Sequence, residues 1–402
     1  MPFIQTKGRH GIGEDHRKYS YMRRQSFGGP ESSGRLNSWP TGRRTRFYCR
    51  VVVAAVVVAS LPQVPNGASA DVPRGLGKPV KTCHCKQVRR IARMTTRRVK
   101  ANHSKKAPNV TEFTIPTAAS GASQIIQGPD GNLWFTEEGA NKIGRMSPNG
   151  IFVEYQIPTP ASGAEGLVVG PDAKIWFTET NTNKIGDITV DGTINEFSLC
   201  NVAARPQHIA LYGGALWFSE AGVVDKIARL TTLGSYAEYN IPTPNSEPFG
   251  IATGPNPNFL WFTERNGNKI GRLNAGALFS EYSIPTPNVR PWQITPGPDG
   301  RVWFTENAGN ALGALLPSSG AISEYPVPSP DAQVRRITTG PDGNLWFTEF
   351  ATGKVGTSTT SGAITETTLP TPNAGPIGIT NGPLGSLWAI ENIGNKIAQI
   401  TP

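Results

Sequence analysis

The stretch "GPDGNLWFTE", residues 128–137, decides the fold, because the same ten letters return at residues 340–349. Its tryptophan is the first of seven at separations of 41 to 44 residues, and each is followed three positions later by a glutamate. The pairs are Trp134 and Glu137, Trp176 and Glu179, Trp217 and Glu220, Trp261 and Glu264, Trp303 and Glu306, Trp346 and Glu349, and Trp388 and Glu391. A period in the low forties is typical of a four-stranded propeller blade. The sequence therefore predicts an all-β, seven-bladed β-propeller of four-stranded antiparallel blades over residues 111–402.

A single repeat, residues 120–158, shows the order of the strands. A first strand near "SQIIQ" is followed by the turn "GPDG", a second strand "NLWFT", a third strand "NKIGRM", the turn "SPNG" and a fourth strand "FVEYQIP". Apolar residues are adjacent in "LWF", as expected for a strand that is buried on both faces between neighbouring blades. Gly, Asp, Asn and Pro in the turns supply the backbone angles that tight turns need.

The sequence also predicts how the ring closes. The last copy stops at "KIAQITP" and lacks a fourth strand, whereas a strand of that type, "TEFTIPT", occurs ahead of the first copy at residues 111–117. The sequence therefore predicts that this N-terminal strand joins the last blade and pairs an edge that would otherwise stay open.

The positive charge of the chain is confined to its N-terminal part. Residues 1–110 hold 23 Lys and Arg against 4 Asp and Glu, whereas the remainder holds 16 against 25. A repeat domain with net negative charge lacks the basic surface that nucleic acid binding requires. Nucleic acid is therefore excluded as a partner of the propeller.

The first 70 residues are interpreted as a leader with a signal peptide. A basic flank precedes an apolar run at residues 51–61, and Ala68-Ser69-Ala70 offers a cleavage site after Ala70. The run is too short for a stable transmembrane span, which needs about 20 residues. Residues 71–110 are basic with little apolar periodicity, so they are predicted to form a disordered linker. This organisation predicts a protein that is secreted or located in the periplasm or cell envelope.

A rule imposed by the fold is obeyed in every copy, whereas a binding site uses residues that differ between copies. The repeated Trp and Glu are therefore interpreted mainly as structural. One column at the start of the first strands differs in every blade: Ser123, Glu165, Gln207, Phe249, Trp292, Arg335 and Ile377. This mixed ring favours a ligand-binding channel mouth, with Phe249 and Trp292 as an aromatic platform, over plain channel lining. His208 is predicted to be a buried histidine that points the other way, into its blade.

The repeats resemble the virginiamycin B lyase family. The resemblance rests on "GPDGNLWFTE", "NKIGR" and "IPTP" and covers residues 111–402. It implies a seven-bladed propeller that opens a cyclic depsipeptide such as a streptogramin with the help of Mg²⁺. In that chemistry a base removes a proton α to a carbonyl and the ester oxygen leaves by elimination, while the metal stabilises the developing charge.

The resemblance also implies particular site residues. The family's first-blade tyrosine corresponds to Ser123, its sixth-blade histidine to Arg335, its seventh-blade histidine to Ile377, and the acid just before the latter to Gly375. Glu391 matches the family's glutamate after the last "WF"-type strand, which makes it the candidate catalytic residue and metal ligand. With no imidazole at Ile377, Glu165 is the candidate for an alternative base.

Two functional hypotheses remain open, with a structural scaffold as a third. The first is a carbon–oxygen lyase acting on a cyclic, ester-containing small molecule through Glu391 and Glu165. The second is a non-catalytic extracellular or envelope module that binds a small molecule or peptide at the channel mouth. Both envisage a monomer.

Overall fold

The computed structural model describes residues 108–223 and 225–402. The predicted leader, its cleavage site and residues 71–107 of the predicted linker lie outside the described residues. The described residues form 28 β-strands and one short 3-10 helix, Pro383–Gly385. Within them, no helix has the length and apolar character needed to cross a membrane.

The strands form seven four-stranded antiparallel sheets, which confirms the predicted propeller. Blade 1 contains β2 (Ala122–Gln127), β3 (Leu133–Glu137), β4 (Lys142–Met146) and β5 (Phe152–Gln156). Blade 2 contains β6 (Ala164–Val169), β7 (Ile175–Glu179), β8 (Lys184–Ile188) and β9 (Ile194–Ser198). Blade 3 contains β10 (Pro206–Tyr212), β11 (Ala215–Glu220), β12 (Lys226–Leu230) and β13 (Tyr236–Asn240). Blade 4 contains β14 (Pro248–Thr253), β15 (Phe259–Glu264), β16 (Lys269–Asn274) and β17 (Phe279–Ser283).

The remaining blades repeat this order. Blade 5 contains β18 (Pro291–Pro296), β19 (Val302–Glu306), β20 (Ala311–Leu315) and β21 (Ile322–Pro326). Blade 6 contains β22 (Val334–Thr339), β23 (Leu345–Glu349), β24 (Lys354–Ser358) and β25 (Ile364–Thr368). Blade 7 contains β26 (Pro376–Asn381), β27 (Leu387–Glu391), β28 (Lys396–Thr401) and, from the other end of the domain, β1 (Asn109–Thr114).

The N-terminal strand closes the ring as predicted. β1 pairs antiparallel with β28 along its whole length, from Asn109 opposite Thr401 to Thr114 opposite Lys396. The strand begins at Asn109, two residues before the predicted start, because Val110 lies opposite Ile400 and packs against the apolar cluster of blade 7. This pairing covers the edge of β28 and gives the last blade four strands, as in the other six blades.

The repeated phrase has a direct structural reason. The Asp130 carboxylate accepts hydrogen bonds from the Trp134 indole at 3.0 Å and from the backbone N–H of Asn132 at 3.2 Å. Gly131 has a φ of 74°, which glycine adopts without strain. A Cβ on Gly128 would lie 2.3 Å from the Trp134 ring, so no larger residue fits there. The turn therefore orients the tryptophan, which packs fully buried against the next blade, including Phe177.

A second repeated element, which we call the rim clamp, joins successive blades. In blade 1 the Glu154 carboxylate accepts hydrogen bonds from the Thr117 N–H at 3.0 Å and from the Thr117 hydroxyl at 2.6 Å, and Lys142 lies 2.9 Å away. Further Thr or Ser, Glu and Lys clamps are Thr159–Glu196–Lys184, Thr243–Glu281–Lys269, Ser329–Glu366–Lys354 and Thr371–Glu112–Lys396. The last of these links blade 6 to the closing strand β1.

Blade 5 carries an incomplete clamp. Ala311 stands where the other blades have lysine, and the Glu324 carboxylate is 3.3 Å from the Thr286 N–H and 3.1 Å from its hydroxyl. These bonds are longer than those of the blade 1 clamp. The ammonium group therefore helps to hold the carboxylate against the threonine.

Candidate functional site

The seven first strands contact one another in a closed ring and line the central channel. Each has a break in register near its start; in blade 1 it falls between Ala122 and Ile125. The equivalent breaks are in β6, β10, β14, β18, β22 and β26. The break places the residues of the predicted ring, including Ser123, at equivalent positions at the channel mouth.

A hydroxyl group stabilises most of these breaks. Thr348 accepts a hydrogen bond from the Arg336 N–H at 3.1 Å and donates one to the Ile377 carbonyl of the next blade at 2.8 Å. The hydroxyls that serve blades 1 to 5 belong to Thr136, Thr178, Ser219, Thr263 and Thr305. In blade 7 the position is occupied by Ile390. The backbone of the mouth is therefore fixed, which leaves its side chains free to vary.

A row of alternating aromatic rings and guanidinium groups crosses blades 4 to 6, and we call it the mouth row. Phe249 and Trp292, the predicted platform, meet edge to face with ring centroids 4.8 Å apart. The Arg265 guanidinium lies 4.7 Å from the centre of the Phe249 ring and 4.2 Å from that of Trp292. Arg335 lies 5.1 Å from the Trp292 ring and 3.9 Å from the Phe350 ring. Aromatic faces attract cations, so each residue of the row orients its neighbours.

Arg265 and Phe350 were missed by the sequence reasoning. Each follows directly after a repeated glutamate, at a position that holds six residue types in seven blades: Glu138, Thr180, Ala221, Arg265, Asn307, Phe350 and Asn392. This second variable column was the available signal. The mouth is therefore built from two columns, because the start of a first strand lies beside the end of the second strand in an antiparallel pair.

A cluster of three polar side chains spans the channel beneath the mouth row. Arg336 of blade 6 and His208 of blade 3 meet with 3.1 Å between Arg336 Nη1 and His208 Nδ1. On the other side of the imidazole, His208 Nε2 lies 3.5 Å from a carboxylate oxygen of Glu165 in blade 2. His208 and Arg336 are almost completely buried, at 1% and 4% exposure. We call these three residues the channel triad.

The burial of His208 is as predicted, but the predicted direction is wrong. The side chain faces the channel triad and the Phe249 ring, whose centroid is 4.5 Å from that of the imidazole. The register break between Pro206 and Ile209 interrupts the alternation of side chains on which that prediction depended.

The electrostatics of the channel triad define its protonation. Burial, reinforced by the Arg336 charge, lowers the pKa of His208 to about 4, so the imidazole is neutral near pH 7. Burial also lowers the pKa of Arg336, to about 10, so this group stays charged. Burial would raise the pKa of Glu165, but the His208 hydrogen bond and the charges of Arg336 and Arg265 together lower it. Because Arg336 donates to Nδ1, the proton of the neutral imidazole is assigned to Nε2, facing Glu165.

The other residues of the predicted ring differ in accessibility. Ser123 is 7% exposed and its hydroxyl hydrogen bonds that of Thr136 at 2.9 Å. Gln207 is also 7% exposed and its amide donates to the Arg205 carbonyl at 3.2 Å. Ile377 is half-buried and brings only an apolar surface. The polar groups concentrated at the mouth are thus Glu165, Arg335 and the neighbouring Arg265.

Glu391 does not fit a magnesium site. Its side chain is fully buried, and burial raises its pKa to about 7, with a further contribution from the nearby Glu112 carboxylate. The charge of the Lys396 ammonium group partly offsets this rise in the pKa of Glu391. Among residues 108–223 and 225–402 no cluster of three or more His, Cys, Asp or Glu residues is placed to hold a metal. Mg²⁺ requires several oxygen ligands and usually retains water, so a buried carboxyl beside a lysine is unsuitable.

Two hollows open beside the mouth. One has a volume of about 330 Å³ and is lined by residues of blades 3 and 4, including Gln207, Glu247, Phe249 and Arg265. The other is an open cleft of about 510 Å³ lined by Glu138, Asn181, Asn392 and their neighbours. Ligand sites commonly fall between about 300 and 1,000 Å³, so either hollow has room for a small molecule.

Fold and site together define a seven-bladed propeller with a chemically diverse channel mouth. The family model described as "Virginiamycin B lyase family" matches residues 90–259 and 256–402. The chain therefore belongs to the virginiamycin B lyase family.

Solved structures agree with this assignment. A streptogramin B lyase is 37% identical with a TM-score of 0.70, and the match covers 73% of this chain and 97% of that one. Selenomethionine-substituted virginiamycin B lyase from Staphylococcus aureus is 35% identical with a TM-score of 0.69, covering 73% and 99%. A catalytically inactive histidine variant of the Staphylococcus aureus enzyme, solved with quinupristin, gives the same identity, TM-score and coverage.

Proposed function

We propose that this protein is a ligand-binding propeller that takes up a small molecule at the channel mouth without opening an ester ring. The observation that carries the proposal is the mouth row, in which Phe249, Arg265, Trp292, Arg335 and Phe350 contact one another in sequence. Preorganised aromatic and guanidinium groups favour recognition, because little side-chain entropy is lost when a ligand arrives.

The surroundings of the mouth row support binding over elimination. The positions that the resemblance assigns to a tyrosine and two histidines hold Ser123, Ile377 and Arg335, none of which takes up a proton at neutral pH. His208 is the only histidine in the described residues. Both of its ring nitrogens face protein groups, so it has no free lone pair for a substrate.

Substitution of the central aromatic residue tests the binding function. A set of small molecules is screened by thermal shift against the purified chain, and compounds that raise the Tm are titrated against Trp292→Ala. We expect this variant to lose most of the affinity, because Trp292 positions both Arg265 and Arg335. Tyr282→Ala is the matched control: Tyr282 is a half-buried aromatic residue of blade 4 that stacks on Trp261. Equal affinity of wild type and Trp292→Ala would exclude the mouth row as the binding surface.

A lyase reaction is the second candidate, and one observation favours it. Glu165 keeps 22% of its side chain exposed while His208 approaches its carboxylate, so an oriented carboxylate reaches the mouth. In such a reaction Glu165 would accept the proton α to a carbonyl, a carbon–carbon double bond would form, and the ester oxygen would leave with the bonding electrons. Its lowered pKa makes it a weak base, which is why binding is preferred.

Quinupristin with added Mg²⁺ distinguishes the two candidates. Elimination leaves the mass unchanged, so ring opening is followed by chromatographic retention and by NMR signals of the new double bond, with a streptogramin B lyase as positive control. We expect an unaltered substrate. Ring opening that is lost in Glu165→Gln and retained in Glu247→Gln would instead establish the lyase with Glu165 as its base.

A further inference from the structure

The mouth holds more positive charge than the neighbouring carboxylates neutralise. Arg265 lies 3.1 Å from Glu247, which also contacts Arg290 at 3.3 Å. Arg335 and Arg336 have no ion pair within the described part of the chain. Glu165 is the carboxylate whose charge acts on both of them.

Hydrogen-bond donors of these arginines are also unused. The Nε atoms of Arg265, Arg335 and Arg336 are each buried without a hydrogen-bond partner. Within the described residues, the partly exposed Arg335 side chain makes no hydrogen bond or ion pair and stacks on the aromatic faces of Trp292 and Phe350. A donor without a partner costs free energy, so an acceptor that reaches the partly exposed Arg335 guanidinium group would be favoured here.

The stacking explains why these donors remain available. An aromatic ring interacts with the flat face of a guanidinium group, whereas the N–H bonds lie in its plane and point outward from its edge. Trp292 is contacted by both Arg265 and Arg335, and so brings two guanidinium groups together despite their mutual repulsion. Arg336 lies beneath them and adds its charge from the channel triad.

We propose that the mouth row binds an oxyanion, a carboxylate or phosphate carried by a small molecule, through the N–H edges of Arg335 and Arg265. Guanidinium groups suit such groups because their parallel N–H bonds match two oxygens of one anion. This inference rests on the proposed binding function and narrows its ligand class. The Glu165 carboxylate opposes the anion, so the bound oxyanion is expected on the side of the mouth that carries the arginines.

Calorimetric titration at constant ionic strength tests the inference, with citrate and inorganic phosphate as separate probes. We expect saturable binding of at least one probe to the wild type, and the stronger probe identifies the preferred oxyanion. Arg335→Gln should weaken that binding by about tenfold or more, because a charge-assisted bidentate contact is lost. Arg335→Lys, which retains the charge without the planar edge, should give an intermediate affinity.

Two further variants sharpen the result. Arg272→Gln is the matched control, because the Arg272 guanidinium also stacks on aromatic rings, 4.6 Å from the Phe259 ring within blade 4, but does not line the mouth. It should bind the probe as the wild type does. Glu165→Gln should bind it more tightly, because a repelling charge is removed. Melting curves recorded for every variant identify any that fail to fold.

The inference is overturned if neither probe binds the wild type, or if folded Arg335→Gln binds as tightly as the wild type does. Binding of an uncharged compound that depends on Trp292 but not on Arg335 would overturn the oxyanion while leaving the proposed binding function intact. If no compound binds in a way that depends on Trp292 or on Arg335, the proposed binding function is excluded as well.

Discussion

The rim clamps and the channel mouth are built on the same seven blades and follow opposite rules. At the rim, Thr117, Glu154 and Lys142 have close equivalents in most other blades. At the mouth, the equivalent column holds a different side chain in every blade. Both regions belong to the same blades, with the clamps on the third and fourth strands and the mouth column on the first strands. The difference therefore reflects separate roles: the repeated groups fix the geometry of the ring, and the unrepeated groups carry recognition.

Loss of the closing strand β1 should have the largest effect on the stability of the ring. Deletion of residues 111–116 removes most of the β1 pairing, the Glu112 clamp and the stacking of Phe113 on Trp388, whose ring centroids are 5.9 Å apart. We expect the Tm to fall by about 10 °C or more, since each kcal/mol shifts the Tm of a large domain by about 2–4 °C. Calorimetry measures this, with a chain that starts at Pro108 as the control. An equal Tm for the two chains would show that β1 does not stabilise the ring.

Removal of a single clamp should have a smaller effect that depends on the blade. Glu154→Ala leaves Lys142 and Thr117 without their carboxylate, so we expect a loss of about 1–3 kcal/mol in the free energy of unfolding. Glu324→Ala removes longer bonds in a blade without the lysine, and should cost less. Urea unfolding of both variants gives the comparison. A greater loss for Glu324→Ala would contradict the role assigned to the lysine.

Completion of the blade 5 clamp should stabilise the protein slightly. Ala311→Lys places an ammonium group where it can contact Glu324, as Lys142 contacts Glu154. We expect a gain of about 0.5–1 kcal/mol, as for a partly exposed ion pair with good geometry. Ala311→Met controls for the added aliphatic length, because it brings no charge. A gain of the same size for methionine would assign the effect to packing.

The last prediction concerns the dependence of stability on pH. Burial raises the pKa of the repeated Glu264 to about 8, from about 4.5 in the unfolded chain. The folded state therefore holds this proton more tightly, so the contribution is fully present below pH 4.5 and is lost as the pH rises towards 8. Glu264→Gln cannot lose the proton and should show a Tm that falls less between pH 5 and pH 8. Parallel pH profiles of the two proteins would refute the assignment.

The fold could be predicted from the sequence because every blade needs the same packing contacts, so the same residues recur in each copy. Trp134 with Asp130 and Gly128 forms one packing unit, and across the repeats the tryptophan recurs in all seven copies and the glycine in six. The ring column was found by the opposite signal, its variation from blade to blade. Three features of the site were not predicted. The direction of His208 was wrong because a register break alters it. The column containing Arg265 and Phe350 and the contact of Arg336 across the channel were missed. These depend on how strand ends meet in space, which a single-strand pattern does not encode.

The pairing of β1 with β28 also sets an order of events during synthesis. The first strand of the domain to leave the ribosome has as its partner the strand that leaves last, Lys396–Thr401. Blades 1 to 6 have all their strands locally and can form in turn, whereas blade 7 must wait until β28 has been synthesised. Until then the nascent chain is an open arc with two unpartnered ends, and the mouth acquires its final shape only when these ends join.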